Sequence, residues 1–228
     1  MILYWLLALF VCCCLRLYAI LPEGKKVIRR TRRRSETCSL AVFLGSGGHT
    51  SEVISLLSSL DFSRYTPRTY YIGEGDTLSM KKAIVLESLK VVDYASSSVQ
   101  SLVPYTFVTL PRARRVHQPL LTTPITALRS LAVCVYHTTF APLLPNAISP
   151  EVLIVNGPGT CFVLCLATYV NKFVGLTHPA LIYVESFARV RTLSLSGKLL
   201  RPLVDRFIVQ WPDLLRDGKK GDYRGWLV

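Results

Sequence analysis

The sequence predicts an α/β fold: a doubly wound, mostly parallel sheet of Rossmann-like character, preceded by one transmembrane helix. Three observations carry this. Residues 39–44 form an apolar run that breaks into Gly45-Ser46-Gly47-Gly48-His49-Thr50 and then an amphipathic stretch, the strand, glycine turn and helix that open such a sheet. The same order recurs at residues 151–155, followed by Asn156-Gly157-Pro158-Gly159-Thr160 and a second apolar helix. Ahead of both, residues 1–21 are almost wholly apolar.

The anchor comes first. About 20 apolar residues suffice to span a bilayer, and the run is broken by Arg16 alone before Pro22 ends it. Lys25, Lys26, Arg29, Arg30, Arg32, Arg33 and Arg34 follow in a basic juxtamembrane linker over residues 22–38. The positive-inside rule puts this linker in the cytosol and the extreme N-terminus on the other side of the membrane. A cleaved signal peptide would carry its charges before the apolar run and a small-residue cleavage site after it. Neither pattern is present, so a retained single-pass anchor is expected, with Arg16 near its cytosolic end able to snorkel.

Of 228 residues half are apolar, and the formal net charge is +13. The anchor and linker leave about 190 residues, enough for one good core and too few for two full α/β domains. Basic excess suits nucleic acid or anionic lipid and phosphate ligands. Much of it directly follows the anchor, which favours lipid and phosphate and argues against nucleic acid. The seven cysteines show no metal spacing. Cys161 and Cys165, one helical turn apart, read as core residues and as reduced thiols of a cytosol-facing domain.

A globular domain is expected over residues 39–212. Its first helix runs over residues 50–60, behind glycines that let backbone N–H groups approach a ligand. The helix N-terminus favours an anion such as phosphate, and His49 stands where its ring can face the same ligand. The turn is not the dinucleotide pattern G-x-G-x-x-G, because Thr50 takes the place of the third glycine. A second strand over residues 68–72 ends in Gly73-Glu74-Gly75-Asp76. A helix over 77–89, a short strand over 90–94, a serine-rich loop over 95–101 and a strand over 105–110 follow. That strand opens into the basic loop Pro111-Arg112-Ala113-Arg114-Arg115-Val116-His117-Gln118, at a position where open sheets bind anions.

Residues 119–145 are strongly apolar and read as one or two helices. Arg129, His137 and Pro124 argue against a second membrane span. Core packing and a position on the membrane surface both remain open for this region. After the second glycine turn come a helix to residue 174 and a strand over 181–184 that ends in Glu185-Ser186. A basic loop over 187–191, a helix over 192–200 and a last strand over 206–210 complete the domain. The tail, residues 213–228, ends in the apolar tip Trp226-Leu227-Val228, which either folds back on the core or docks a partner.

Together Leu44-Gly45-Ser46-Gly47-Gly48-His49-Thr50, Pro111-Arg112-Ala113-Arg114, Asn156-Gly157-Pro158-Gly159-Thr160, Tyr183-Val184-Glu185-Ser186-Phe187-Ala188-Arg189-Val190 and Val209-Gln210-Trp211-Pro212 form a specific set. From about Ser39 onward the chain resembles the family of membrane-anchor subunits of the eukaryotic UDP-N-acetylglucosamine (UDP-GlcNAc) transferase of asparagine-linked glycosylation. The resemblance implies the N-terminal, acceptor-side half of a GT-B glycosyltransferase split across two polypeptides. It also implies a soluble partner subunit that carries most of the UDP-GlcNAc site. The implied reaction adds the second GlcNAc to GlcNAc-diphosphodolichol at the cytosolic face of the endoplasmic reticulum membrane. The bacterial relative that builds the peptidoglycan lipid precursor keeps both halves in one chain, with a similar G-x-G-G-H loop.

In that frame the acceptor hydroxyl attacks the anomeric carbon of UDP-GlcNAc with inversion, and a general base takes its proton. His49 and Glu185 are the candidate catalytic residues. For Glu185 a structural hydrogen bond to a helix N-terminus is the alternative. Gly45, Ser46, Gly47, Gly48 and Thr50 would cradle the acceptor diphosphate. Asn156, Gly157, Gly159 and Thr160 would form the second loop, and Arg112, Arg114, Arg189 and Arg191 would supply positive charge. Trp226, Leu227 and Val228 would dock the soluble donor-binding subunit. No cofactor and no metal are expected. Two rival readings stand beside this one. A membrane-tethered NAD(P)-dependent oxidoreductase would need the third glycine and a Tyr-x-x-x-Lys pair, which the sequence lacks. A non-catalytic scaffold would recruit a soluble enzyme to the membrane without contributing to its chemistry.

Overall fold

The structure is a computed structural model and describes residues 1–22, 36–95, 105–114, 118–145, 148–157 and 159–227. The basic run from Lys25 to Arg34, most of the serine-rich loop, Arg115, Val116, His117, Pro158 and Val228 lie outside the described residues.

Seven strands form one sheet: β1 (Leu40–Leu44), β2 (Arg68–Gly73), β3 (Tyr105–Leu110), β4 (Val152–Val155), β5 (Ala180–Val184), β6 (Arg206–Val209) and β7 (Asp222–Tyr223). Their order is β3-β2-β1-β4-β5-β6-β7, and every described pairing is parallel. The sheet therefore winds outward in both directions from β1 and β4. The crevice between them at the carboxyl ends of the strands is where such sheets take ligands. All five residues of β1 are buried, as a central strand covered on both faces requires.

Six α-helices accompany the sheet among the described residues: α1 (Ile2–Ile20), α2 (Gly48–Ser58), α3 (Thr77–Ala95), α4 (Thr123–Val135), α5 (Thr160–Val174) and α6 (Leu195–Leu200). Strand side chains alternate between faces, and this sorts the core into two clusters. Leu40, Val42 and Leu44 pack with Val53 and Leu57 of α2 and Ala83 and Leu86 of α3. Ala41 and Phe43 belong to the other face, with Cys134 of α4, Leu164 and Cys165 of α5 and Leu200 of α6. Each fully buried large apolar side chain contributes about 1.5–3 kcal/mol. Cys161 and Cys165 lie within this core as expected, and burial pushes both thiols up.

Three local expectations are corrected. Residues 90–94 are not a strand: α3 continues through them to Ala95. The β-branched pair Val91-Val92 suits either state, and a helix already running from Thr77 carries it along. The sixth helix starts at Leu195 rather than residue 192, because Ser194 caps it by accepting the Gly197 N–H at 2.9 Å. The strand expected over residues 206–210 is β6, ending at Val209, but it is not the last: the tail supplies β7 beside it.

Helix α1 contains Leu3–Ile20, a segment of mean hydropathy 2.1 that is long and apolar enough to cross a membrane. Arg16, expected to snorkel, has protein partners instead. Its guanidinium donates to the Phe173 and Lys172 carbonyls, each at 3.0 Å, at the end of α5. Those carbonyls lack partners within their helix, and positive charge is favourable there. Ile20 and Leu21 then pack against the core. On α4, Ser130 and Cys134 turn inward. Leu121, Ile125, Leu128, Tyr136, Phe140, Leu143 and Leu144 form an exposed apolar face along and beyond it.

Under α3, Arg68 is 1% exposed and holds Glu87 through two 2.7 Å hydrogen bonds. The same carboxylate accepts from the Tyr70 hydroxyl at 2.6 Å, and burial with this contact pushes the phenol well up. Breaking a buried pair by removing one partner costs about 3–5 kcal/mol. Arg68→Met is expected to lower stability by that amount in a denaturant titration. The double variant Arg68→Met/Glu87→Leu is expected to recover most of it.

Candidate active site

The loops after β1, β3, β4 and β5 enclose a cleft of about 950 Å³. Gly45, Ser46 and His49 line it from the first loop, Arg112 and Arg114 from the third strand, Gly157, Gly159 and Thr160 from the second glycine turn, and Arg189 from the loop after β5. Among the described residues no carboxylate lines it. Helices α2 and α5 begin at this cleft, with Gly47 and Gly159 as N-caps, no side-chain cap and no acidic residue in the first turn. Two sets of unpaired backbone N–H groups, each at the positive end of a helix dipole, therefore meet three arginines. That combination has the charge and the donors that suit a polyanion.

His49 is held between the two glycine turns. A Cβ on Gly45 would lie 2.9 Å from the His49 Cβ, and one on Gly157 would lie 3.3 Å from its Cγ. Gly157 also has φ +114°, a conformation that side chains rarely adopt. The ring's Nδ1 is 2.8 Å from Oδ1 of Asn156. Asn156 is buried and donates from Nδ2 to Glu52 Oε2 at 2.8 Å. Glu52 Oε1 in turn accepts from the Ser186 hydroxyl at 2.7 Å. The turns after β1 and β4 and the loop after β5 are thus joined through one carboxylate, which sequence reasoning missed. An acidic residue early in a helix reads as a dipole partner, and its partners here lie 104 and 134 positions away.

The other expected site residues divide. Thr50 turns away from the cleft: it is buried, donates to the Gly45 carbonyl and contacts the Ser79 hydroxyl at 2.7 Å. Gly47 and Gly48 shape the head of α2 behind the lining residues. Thr160 lines the cleft and accepts from the Ala113 N–H at 3.1 Å. Arg112 donates to the Glu74 carbonyl at 3.1 Å. Arg191 lines a separate basic groove beyond α6, together with Lys198.

Glu185 is 1% exposed and is not among the cleft-lining residues. Its Oε1 accepts from the Ser186 N–H at 3.1 Å and the Tyr183 hydroxyl at 3.3 Å. Its Oε2 accepts from the Ser194 N–H at 3.1 Å and the Ser194 hydroxyl at 3.0 Å. Burial, reinforced by this carboxylate, pushes the Tyr183 phenol well up. Glu185 thus braces the turn that caps α6. At the C-terminus Leu227 folds back, packing on the core and donating its N–H to Gln210 at 3.0 Å. Trp226 remains 67% exposed against Phe187 and Trp211, with ring centroids 5.8 and 5.6 Å away.

A family model described as "Oligosaccharide biosynthesis protein Alg14 like" matches residues 40–227. The UDP-N-acetylglucosamine transferase subunit ALG14 of Cryptococcus neoformans is 50% identical over 199 residues, covering 86% of this chain and 84% of that protein. The subunit of the same name from Schizosaccharomyces pombe is 44% identical over 206 residues, covering 90% and 91%. That from Rattus norvegicus is 37% identical over 213 residues, covering 93% and 91%. Among solved structures, that of Acinetobacter baumannii MurG superposes with a TM-score of 0.50 at 11% identity, over 81% of this chain. This chain corresponds to 44% of that one, a likeness of fold.

The glycines give a direct test of the close approach at His49. Gly157→Ala is expected to cost about 1–3 kcal/mol, through strain at positive φ and displacement of the ring. Gly159→Ala, whose Cβ meets nothing within 4 Å, is expected to stay within about 0.5 kcal/mol of the parent. Thermal unfolding of the two variants side by side checks the difference.

Proposed function

The chain belongs to the Alg14 family, and from that premise we propose that it is the acceptor-binding subunit of a heteromeric UDP-GlcNAc transferase, working as half of a split GT-B enzyme. The observation that carries this reading is the cleft at the β1/β4 switch point, where two helix N-termini without side-chain caps and three arginines converge with, among the described residues, no lining carboxylate. A diphosphate linking a sugar to a lipid fits that cleft. The sugar half of such an acceptor extends from the cleft toward a donor site on a second subunit. A single domain with the fold of less than half of a MurG chain supports the need for that second half.

In this reading the acceptor is GlcNAc-diphosphodolichol, and the reaction adds a second GlcNAc with inversion. The acceptor hydroxyl oxygen bonds to the anomeric carbon of UDP-GlcNAc while the bond from that carbon to UDP breaks, its electron pair leaving with UDP. His49 takes the hydroxyl proton. Gly45, Ser46, Gly157, Gly159 and Thr160 hold the diphosphate with Arg112, Arg114 and Arg189. Gly47, Gly48 and Thr50 shape the first turn, and Asn156 holds His49. Glu185 keeps the loop after β5 in place and takes no proton from substrate.

Helix α1 is proposed to anchor the chain in the endoplasmic reticulum membrane with the domain in the cytosol. The Arg16 contact to α5 ties anchor to domain, and the exposed apolar face of α4 rests on the membrane surface beside it. Exposed Trp226 marks the surface that takes the soluble subunit.

The test is a transfer assay in detergent, with labelled UDP-GlcNAc and a GlcNAc-diphospho-lipid given to this chain, to a soluble donor-binding subunit, and to the pair. Product from the pair only is expected. Product from this chain alone would overturn the split. In the assembled pair His49→Ala is expected to cut turnover by about a hundredfold or more. A loss below about tenfold with normal assembly would remove His49 as the base.

A further inference from the structure

We propose that Glu52 is a positioning residue for this transfer: through Asn156 it fixes which nitrogen of His49 carries the proton, leaving Nε2 as the proton acceptor. The inference rests on the proposed role of His49 and goes beyond it by assigning a tautomer and the group that sets it.

The direction of every hydrogen bond in the chain of contacts follows from the Glu52 carboxylate, which only accepts. The Ala188 N–H donates to the Ser186 hydroxyl oxygen at 3.3 Å. The hydroxyl's own proton goes to Glu52 Oε1 at 2.7 Å, since a carboxylate only accepts. The other oxygen, Oε2, accepts from Asn156 Nδ2 at 2.8 Å. A carboxylate only accepts, so the amide must turn its NH₂ toward Glu52 and its oxygen toward His49. That oxygen lies 2.8 Å from Nδ1 and can only accept. Nδ1 therefore carries the ring proton, and the lone pair remains on Nε2 of a residue that lines the cleft.

Burial makes this arrangement rigid. Asn156 is 1% exposed and Ser186 is 6% exposed, so water cannot easily substitute for a lost partner. A flipped amide would set its oxygen against the carboxylate and leave Asn156 with no donor toward Glu52. The amide relays no proton, so Glu52 acts by orientation. The same carboxylate ties α2 to the loop after β5 through Ser186.

The test uses the full chain assembled with its donor-binding subunit, a short-chain GlcNAc-diphospho-lipid and UDP-GlcNAc. Glu52→Ala is expected to lower kcat by about a hundredfold, as loss of a correctly held base does, with acceptor KM changed by less than about threefold. Glu52→Gln keeps an acceptor for the Asn156 amide and is expected to recover kcat to within about fivefold of the parent. Nitrogen-15 histidine spectra of the unsubstituted chain, which has four histidines, are expected to show His49 protonated on Nδ1, with the signal assigned by its loss in His49→Ala. Wild-type kcat in Glu52→Ala, a loss wholly in KM, or a His49 proton on Nε2 in the unsubstituted chain would each overturn the inference. The spectrum decides even where Glu52→Ala does not assemble. Full activity in His49→Ala would instead overturn the reading of His49 as base, which separates the two failures.

Discussion

The site depends on how closely the chain approaches itself at the switch point between β1 and β4. The two turns leaving these strands come near enough for one imidazole to fill the space between Gly45 and Gly157. Neither position has room for a methyl group without moving His49. The ring in turn keeps the turns at a fixed distance. Parallel pairing of β1 with β4 sets the strand ends level, so both helices begin at the same height over the cleft. Protein interiors transmit small displacements rather than absorb them, so this contact governs where the backbone N–H groups point.

From that contact the electrostatics follow. Two helix N-termini without acidic residues leave positive potential at the cleft, and Arg112, Arg114 and Arg189 add to it. The site's acidic side chains are kept behind the lining. Glu185 is enclosed by Tyr183, Ser186 and Ser194, and Glu52 is bound by Asn156 and Ser186. Carboxylates thus hold the loops together while, among the described residues, the charged side chains that line the cleft are all arginines. Opposite the cleft, Arg16 bonds to carbonyls in the last turn of α5, the helix whose first turn lines the cleft. One rigid helix therefore links the apolar segment to the cleft.

Much of the fold was legible because a buried parallel strand writes itself as a continuous apolar run. Residues 40–44 and 152–155 are of this kind. Both glycine turns were legible for the same reason, since each interrupts such a run. Residues 90–94 were not, because β-branched and aromatic residues suit a strand as well as the end of a long helix. Strand β7 has two residues in a glycine- and lysine-rich tail, too few to show a period. At the site, His49 and the arginines could be placed from their loops, but side-chain direction could not. Thr50 turns to Ser79, and Glu185 to Ser194. Glu52 could not be found at all, because its meaning lies in partners on β4 and β5 loops that only the folded sheet brings near.

The central claim is that an acceptor diphosphate lies across the N-termini of α2 and α5. The most direct measurement is a cryo-electron-microscopy map of the assembled pair with a bound GlcNAc-diphospho-lipid. Diphosphate density within hydrogen-bond reach of the backbone at Ser46 and Thr160 is the result expected. Density confined to the basic groove of Arg191 and Lys198 beyond α6, or to the partner subunit alone, would contradict it.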